Sequence, residues 1–252
     1  MNLVLLEEGD LQPDGTARLS GRRARHALEV LRVAPGDRIA VGLLGGSLGE
    51  GEVLSTSPAE LCIRPSLTRA PPDPSPVSLL LALPRPKILR KVLAAVASMG
   101  VKDVVLLGTY RVEKSYFGSP SLRAESMAEA LKLGLEQGRD TRLPRVSVRR
   151  FFKPFVEDEL DSAFPSAARR LLAHPAAPGP LEGLPAPRGR AVLAIGPEGG
   201  FTSYEARELE WRGFAPFSLG PRPLRVDAAV GYAVGQVELW LRWGARPPPP
   251  ER

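Results

Sequence analysis

Apolar positions follow two different patterns along the chain. Up to residue 64 they come in short runs, at 3–6, 17–19, 38–44, 51–55 and 61–64, separated by turn residues. Runs of that length bounded by Gly, Pro, Asp and Ser predict strands. Gly45-Gly46 supplies the turn chemistry for a hairpin, and one short helix is expected over 22–31. This part reads as a small β-barrel. From residue 77 onward, near-continuous apolar runs alternate with helical periodicity. Residues 77–83 have the composition of a strand buried on both faces. Pro86 suits a first helical position, and the helix is expected to end at Met99 with Gly100 as its terminal glycine. A strand over 101–107 follows, then a helix opened by Ser119-Pro120 that runs to about Gly138. Strands are expected at 169–173, 190–195 and 216–219. Helices are expected at 202–212, with Thr202 and Glu205 as a capping box, and at 226–243. Strands alternating with helices indicate an α/β unit with a mostly parallel sheet.

Between the two patterns, Pro65, Pro71, Pro72, Pro74 and Pro76 crowd together. Such a stretch favours an extended, stiff linker. The expected organisation is a barrel over 1–68, a linker over 69–76, the α/β domain over 77–245 and a disordered tail over 246–252, which holds the proline run 247–250.

Composition changes the picture in one respect. Among 252 residues, Lys and Arg number 34 against 28 acids, a net charge of +6. A basic surplus favours a polyanionic partner such as nucleic acid. The single cysteine, Cys62, cannot form an internal disulfide, and its apolar neighbours Leu61 and Ile63 predict burial. With His26 and His174 as the two histidines, no cluster has metal-ligand spacing, so no metal is expected. The start of the chain lacks signal-peptide character. No apolar run reaches the roughly 18 residues of a spanning helix. A soluble, cytoplasmic protein is expected.

Two segments carry candidate chemistry. Ile195-Gly196-Pro197-Glu198-Gly199-Gly200-Phe201 leaves an apolar strand and enters a capped helix. In open α/β sheets ligands bind outside the carboxyl ends of strands, and a glycine-rich exit before a helix N-terminus suits that role. An ordinary tight turn would use the same residues. The second segment, Leu219-Gly220-Pro221-Arg222-Pro223-Leu224-Arg225-Val226-Asp227, again joins a strand to a helix. Its prolines stiffen a loop that presents arginines. Arg225 and Asp227 could equally form a plain surface pair.

Taken in order, the two loops resemble the RsmE family, whose signature is a GPEGG loop, a helix, an LGxRxLR loop and a helix of small residues. Here these are Gly196–Gly200, Leu219–Arg225 and Asp227–Ala233. Upstream, Ala24-Arg25-His26, Val30-Leu31-Arg32, Gly36-Asp37 and Glu136-Gln137-Gly138-Arg139 are similar to further family patterns, so the likeness spans about residues 3 to 240. The chain departs from the family at Val226-Asp227-Ala228, where Thr-Glu-Thr is usual, and at Val96-Ala97-Ser98-Met99, which marks a divergent branch.

The resemblance implies a PUA-like RNA-binding barrel followed by a SPOUT domain with a trefoil knot. It also implies S-adenosylmethionine as cofactor, held by backbone groups of three loops. Carried over, the cofactor-binding residues are Leu172, Gly196, Pro197, Glu198, Gly199, Gly200, Leu219, Gly220, Pro221 and Leu224. The absence of a GxGxxG fingerprint fits, because such a site does not use one, and it disfavours a nicotinamide dehydrogenase. The implied reaction is methylation of N3 of a uridine in 16S ribosomal RNA, free or in the assembled small subunit.

Methyl transfer from a sulfonium relies on positioning and electrostatics, and the N3 proton must leave. Arg225, Asp227 and Glu198 are therefore the catalytic candidates. The RNA-binding candidates are Arg22, Arg23, His26, Arg32 and Arg139, with Arg85, Lys87, Arg90, Arg111 and Lys114 near strand ends of the second domain. A homodimer through the last helix is expected, because that helix is apolar nearly all round. Two other functions share these features. One is a SPOUT methyltransferase acting on another ribosomal or transfer RNA position. The other is a non-catalytic RNA-binding ribosome assembly factor.

Overall fold

A computed structural model of the protein describes residues 2–165, 167–185 and 189–244. The described chain forms two compact units. The first comprises residues 1–73 with 97–100 and 128–143, and the second comprises 74–96, 101–127 and 144–252. The tail expected to be disordered lies outside the described residues.

The first unit is built on five strands: β1 (Val4–Leu6), β2 (Ala17–Ser20), β3 (Arg38–Leu43), β4 (Leu48–Thr56) and β5 (Glu60–Arg69), in the order β1-β3-β4-β5-β2. β1 pairs parallel with β3 and every other pairing is antiparallel. Register shifts at Leu48/Gly49 and Val53/Ser55 bend the long β4–β5 ribbon, as bulges do, and the sheet curls into a nearly closed barrel. Its interior is filled by alternate residues, among them Val4, Leu6, Leu19, Val41, Val53, Leu61 and Ile63. The short helix α1 (Gly21–Arg25) continues as a π-helical turn over His26–Val30 and adds Ala24 and Ala27 to that core. Cys62, expected to be buried, is half-buried.

β5 runs through Pro65 to Arg69, so the proline-rich connector starts later than the first proline. The reason is local. β2 pairs β5 only over Glu60–Ile63, so beyond that point β5 has β4 on one side alone. A proline is tolerated where no ladder partner needs its missing N–H.

The second unit holds β6 (Val77–Ala82), β7 (Asp103–Leu107), β8 (Arg145–Arg149), β9 (Ala167–Ala173), β10 (Arg190–Ile195) and β11 (Phe214–Phe217). All six run parallel, in the order β11-β9-β10-β6-β7-β8. Its helices are α2 (Pro86–Ser98), whose last two residues fall in the first unit, the short α4 (Phe152–Pro154) and α5 (Leu160–Ala163), α6 (Ser203–Trp211) and α7 (Val226–Gly244), while α3 (Ala124–Gly138) belongs for most of its length to the first unit. The central strands β6 and β10 are buried on both faces, as their composition requires. β8 escaped the sequence reading because it is a half-buried edge strand with arginine at both ends. The run Phe152–Ala163 also went unread, as its two short helices flank a π-helical turn and have no long apolar period.

α7 departs from expectation in an instructive way. It packs on β10 and β6 of its own chain, burying Val230, Ala233, Val234, Val237, Trp240 and Leu241. Trp240 Nε1 donates to the Leu184 carbonyl at 3.1 Å, and Glu238 accepts from the Ser75 hydroxyl at 2.6 Å. The terminal helix therefore has ample partners within the chain, contrary to the argument that its apolar character demands a second copy. Among the described residues no helix is long and apolar enough to cross a membrane, and no group of side chains has metal-binding geometry.

Candidate active site

At the carboxyl ends of β9, β10 and β11, three loops enclose a cavity of about 710 Å³. The first loop follows β9. The His174 amide donates to the Phe217 carbonyl at 3.0 Å and the Ser218 amide to the Gly179 carbonyl at 2.8 Å, which ties it to the end of β11. Leu172, the residue offered from this segment, is fully buried inside β9; the lining begins one position later, at Ala173.

The second loop is the glycine-rich exit from β10. Gly200 has φ +73°, a left-handed conformation that only glycine adopts without strain, and its amide donates to the Pro197 carbonyl at 2.8 Å. A Cβ on Gly196 would stand 3.1 Å from the Phe201 ring and amide, so glycine here lets the loop close on itself. Arg111 donates to the Gly199 carbonyl. Glu198 accepts from the Arg85 amide at 3.3 Å, with the Arg85 Nε 3.8 Å away. Gly196, Pro197, Glu198 and Gly200 line the cavity, and Gly199 does not. The loop is anchored by α6, where the Thr202 hydroxyl accepts from the Glu205 amide and the Glu205 carboxylate accepts from the Thr202 amide at 2.8 Å. The expected capping box is present.

The third loop leaves β11 and contributes Leu219, Gly220, Pro221, Arg222, Pro223 and Leu224 to the lining, with Val226 and Ala229 of α7 as the floor. Arg225, immediately before α7, and Asp227, in its first turn, alternate along the chain with the lining residues Leu224 and Val226 at the edge of the cavity, Nε to Oδ1 3.7 Å apart. The arginine side chain is 78% exposed, and its carbonyl accepts from the Ala229 amide at 2.8 Å.

A model of the RNA methyltransferase domain family matches residues 71–238. Ribosomal RNA small subunit methyltransferase E of Treponema pallidum is 30% identical over 98% of this chain and 96% of its own length. The chain belongs to the RsmE family. Two solved structures share the fold over nearly the whole chain. Ribosomal RNA small subunit methyltransferase E of Neisseria gonorrhoeae, solved with S-adenosylmethionine, has a TM-score of 0.70 at 21% identity and covers 95% of this chain and 97% of that one. A Legionella pneumophila protein solved with the same cofactor has a TM-score of 0.71 at 22% identity and covers 95% and 98%. The SPOUT class expected for the second unit and the PUA-like barrel expected for the first are those of this RsmE fold.

Several of the basic RNA candidates are already engaged. In the first unit, Arg23 donates to both carboxylate oxygens of Asp10 and to the Leu5 carbonyl, and its side chain is 18% exposed. It is a structural residue and is withdrawn as an RNA contact. The Arg22 guanidinium lies 2.8 Å from the buried Glu136. The Nε2 of His26 is buried without a hydrogen-bond partner, and desolvation holds its pKa below the ordinary value. Arg32 and Arg139 face solvent, both with positive φ. In the second unit Lys87, Arg90 and Lys114 are exposed, and Arg85 and Arg111 are exposed while also holding the glycine loop.

Proposed function

We propose that this protein transfers the methyl group of S-adenosylmethionine to N3 of a uridine in 16S ribosomal RNA. The observation that carries this reading is the three-loop cavity with Arg225 and Asp227 on its rim, in a chain 30% identical over nearly its full length to a ribosomal RNA small subunit methyltransferase. The cavity suits the cofactor. Its 710 Å³ falls in the roughly 300–1,000 Å³ range of small-ligand pockets. Its lining is mostly proline, glycine and apolar residues drawn from three loops. Residues 173–180, 195–201 and 218–224 would hold the cofactor. Bound there, the sulfonium supplies an electrophilic methyl group.

The remaining work falls to the rim. Leu219–Leu224, stiffened by Pro221 and Pro223, fixes where α7 begins and hence where Arg225 stands. Its guanidinium is free to meet the uracil carbonyl oxygens, on which negative charge grows as the N3 proton leaves. Asp227 either takes that proton or orients Arg225. Glu198, held by Arg85, is the weakest of the three candidates, because its carboxylate already serves to order its own loop. The test is methyl transfer to small subunits from cells lacking the enzyme, followed by nucleoside analysis. Labelled 3-methyluridine in 16S RNA is expected. A different methylated nucleoside, or label in transfer RNA, would reassign the substrate. Absence of cofactor binding by calorimetry would leave an assembly factor.

The dimer expected from α7 now rests on a different set of residues. Ala228, Tyr232, Gly235, Leu239 and Trp243 form an exposed stripe at helical spacing, the seam pattern that two helices can share. We expect a dimer at micromolar concentration and a monomer for Leu239→Glu, a substitution at a half-exposed position that leaves the core alone. Sedimentation of the wild type as a monomer would reject the dimer.

RNA binding by the full chain is expected to weaken steeply between 50 and 200 mM salt, by about one order of magnitude or more, if several phosphates are contacted. A flat titration would show that phosphate contact is not the basis of affinity.

A further inference from the structure

The carboxyl ends of β7 and β8 frame a second cavity of about 650 Å³, lined by Gly108–Tyr110, Arg150–Pro154, Thr202, Tyr204 and Glu205. The proposed reaction does not use it. Three of its aromatic rings are exposed: Tyr110 at 86%, Phe151 at 71% and Tyr204 at 48%. Single exposed apolar side chains are ordinary, but a cluster around one concave site marks a binding surface. Two basic residues, Arg150 and Lys153, belong to the lining. The Arg150 guanidinium lies over the Phe117 ring at 5.4 Å, and the exposed Lys153 has its ammonium 3.8 Å from Glu157. The one carboxylate in the lining, Glu205, is buried and accepts from the Tyr110 amide at 2.7 Å and from the Thr202 amide and hydroxyl. Its two oxygens are taken up by these three donors. Thr109, also in the lining and nine-tenths buried, leaves its hydroxyl without a hydrogen-bond partner. The two cavities share a wall: Gly196–Phe201 borders the first and Thr202–Glu205 the second.

We propose that this groove takes unstacked nucleobases of single-stranded RNA flanking the methylated nucleotide. Tyr110, Phe151 and Tyr204 supply stacking faces, and Arg150 and Lys153 meet the adjoining phosphates. Rings that offer a π-face to any base, interleaved with cations for the backbone, are the general means of holding single strands. The proposal rests on RNA being the substrate, and it adds where the strand runs.

The test uses the full-length protein and a short single-stranded RNA carrying 2-aminopurine, whose fluorescence falls on stacking. The wild type should quench it. Tyr110→Ala and Phe151→Ala should each reduce affinity by about fivefold or more, the range of one lost base–ring stack, and should diminish the quench. Phe151→Trp should restore both. An RNA of the same length with abasic residues should bind wild type and ring variants alike. Lys153→Ala should lower the salt slope by about one. Both rings are exposed, so the variants should fold, and calorimetry with S-adenosylmethionine should be unchanged. Ring variants that bind the base-bearing RNA as the wild type does would overturn the proposal, as would equal losses on the abasic RNA. If the variants keep every RNA affinity but methylate assembled subunits more slowly than free RNA, the groove belongs to a protein neighbour and the proposal is wrong. Ring-dependent RNA binding without any methyl transfer would instead reject the methyltransferase reading and leave the groove standing.

Discussion

Arg225→Ala is expected to slow single-turnover methyl transfer by about a hundredfold or more, the cost of losing a donor aimed at developing negative charge. The side chain is mostly exposed and makes one loose contact, with Asp227, so the loss should not come from unfolding. Cofactor affinity should change little, because Arg225 does not line the cavity. Asp227 separates the mechanisms. If it is the base, Asp227→Asn should cost most at low pH and recover toward high pH, where the uracil ionises unaided. If it only orients Arg225, the two substitutions should be non-additive and neither should show rescue by pH. A plain surface pair would leave both rates near the wild type. Rates for both single variants and the double variant across pH distinguish the three cases.

Glu205→Ala should be the most damaging of the small substitutions near the site. The carboxylate is 3% exposed and accepts three hydrogen bonds, from the Thr202 amide, the Thr202 hydroxyl and the Tyr110 amide. Removing it leaves buried donors unpaired and breaks the side-chain half of the capping box, while the Thr202 hydroxyl keeps the backbone amide of residue 205. A cost of about 3 kcal/mol or more is expected, which lowers Tm by roughly 6–12 °C at this chain length. The glycine-rich loop runs directly into this cap, so cofactor affinity should fall as well. Glu205→Gln keeps one accepting oxygen and sets an amide donor against another donor, so its effect should be intermediate. Thermal melts of the three proteins give the comparison. A loss no larger than that of an ordinary surface cap, about 1 kcal/mol, would mean that the Tyr110 contact adds nothing.

Much of the α/β unit was legible because its signals are local. A strand buried on both faces must be apolar throughout, as β6 and β10 are. A helix entered through Thr202 and Glu205 and left at Gly213 declares both ends. The loops after β10 and β11 stood out because glycine and proline restrict the backbone wherever they occur. Signals failed where tertiary context overrode composition. β8 has arginines at its ends and is half-buried, so it lacks the apolar run of an interior strand. Pro65 looked like a boundary, and β5 passes through it because β2 has already ended. Arg23 and His26 were expected to contact RNA; the fold turns one onto Asp10 and buries a nitrogen of the other.

What the sequence determined by itself was the order of the main strands and helices apart from β8, α4 and α5, the two glycine- and proline-rich loops and the Thr202–Glu205 cap, since each depends on residues a few positions apart. Only the tertiary structure decided which distant residues share a site. Glu205 reaches across to the Tyr110 amide, 95 positions away. Tyr110, Phe151 and Tyr204 line one cavity because β7 and β8 end, and α6 begins, on the same side of the sheet. α7 turned out to satisfy its apolar face on β10 and β6, which leaves a narrow stripe outside. Hydrophobic burial is non-directional, so composition says that such a helix must be covered, and only the packed chain says by what.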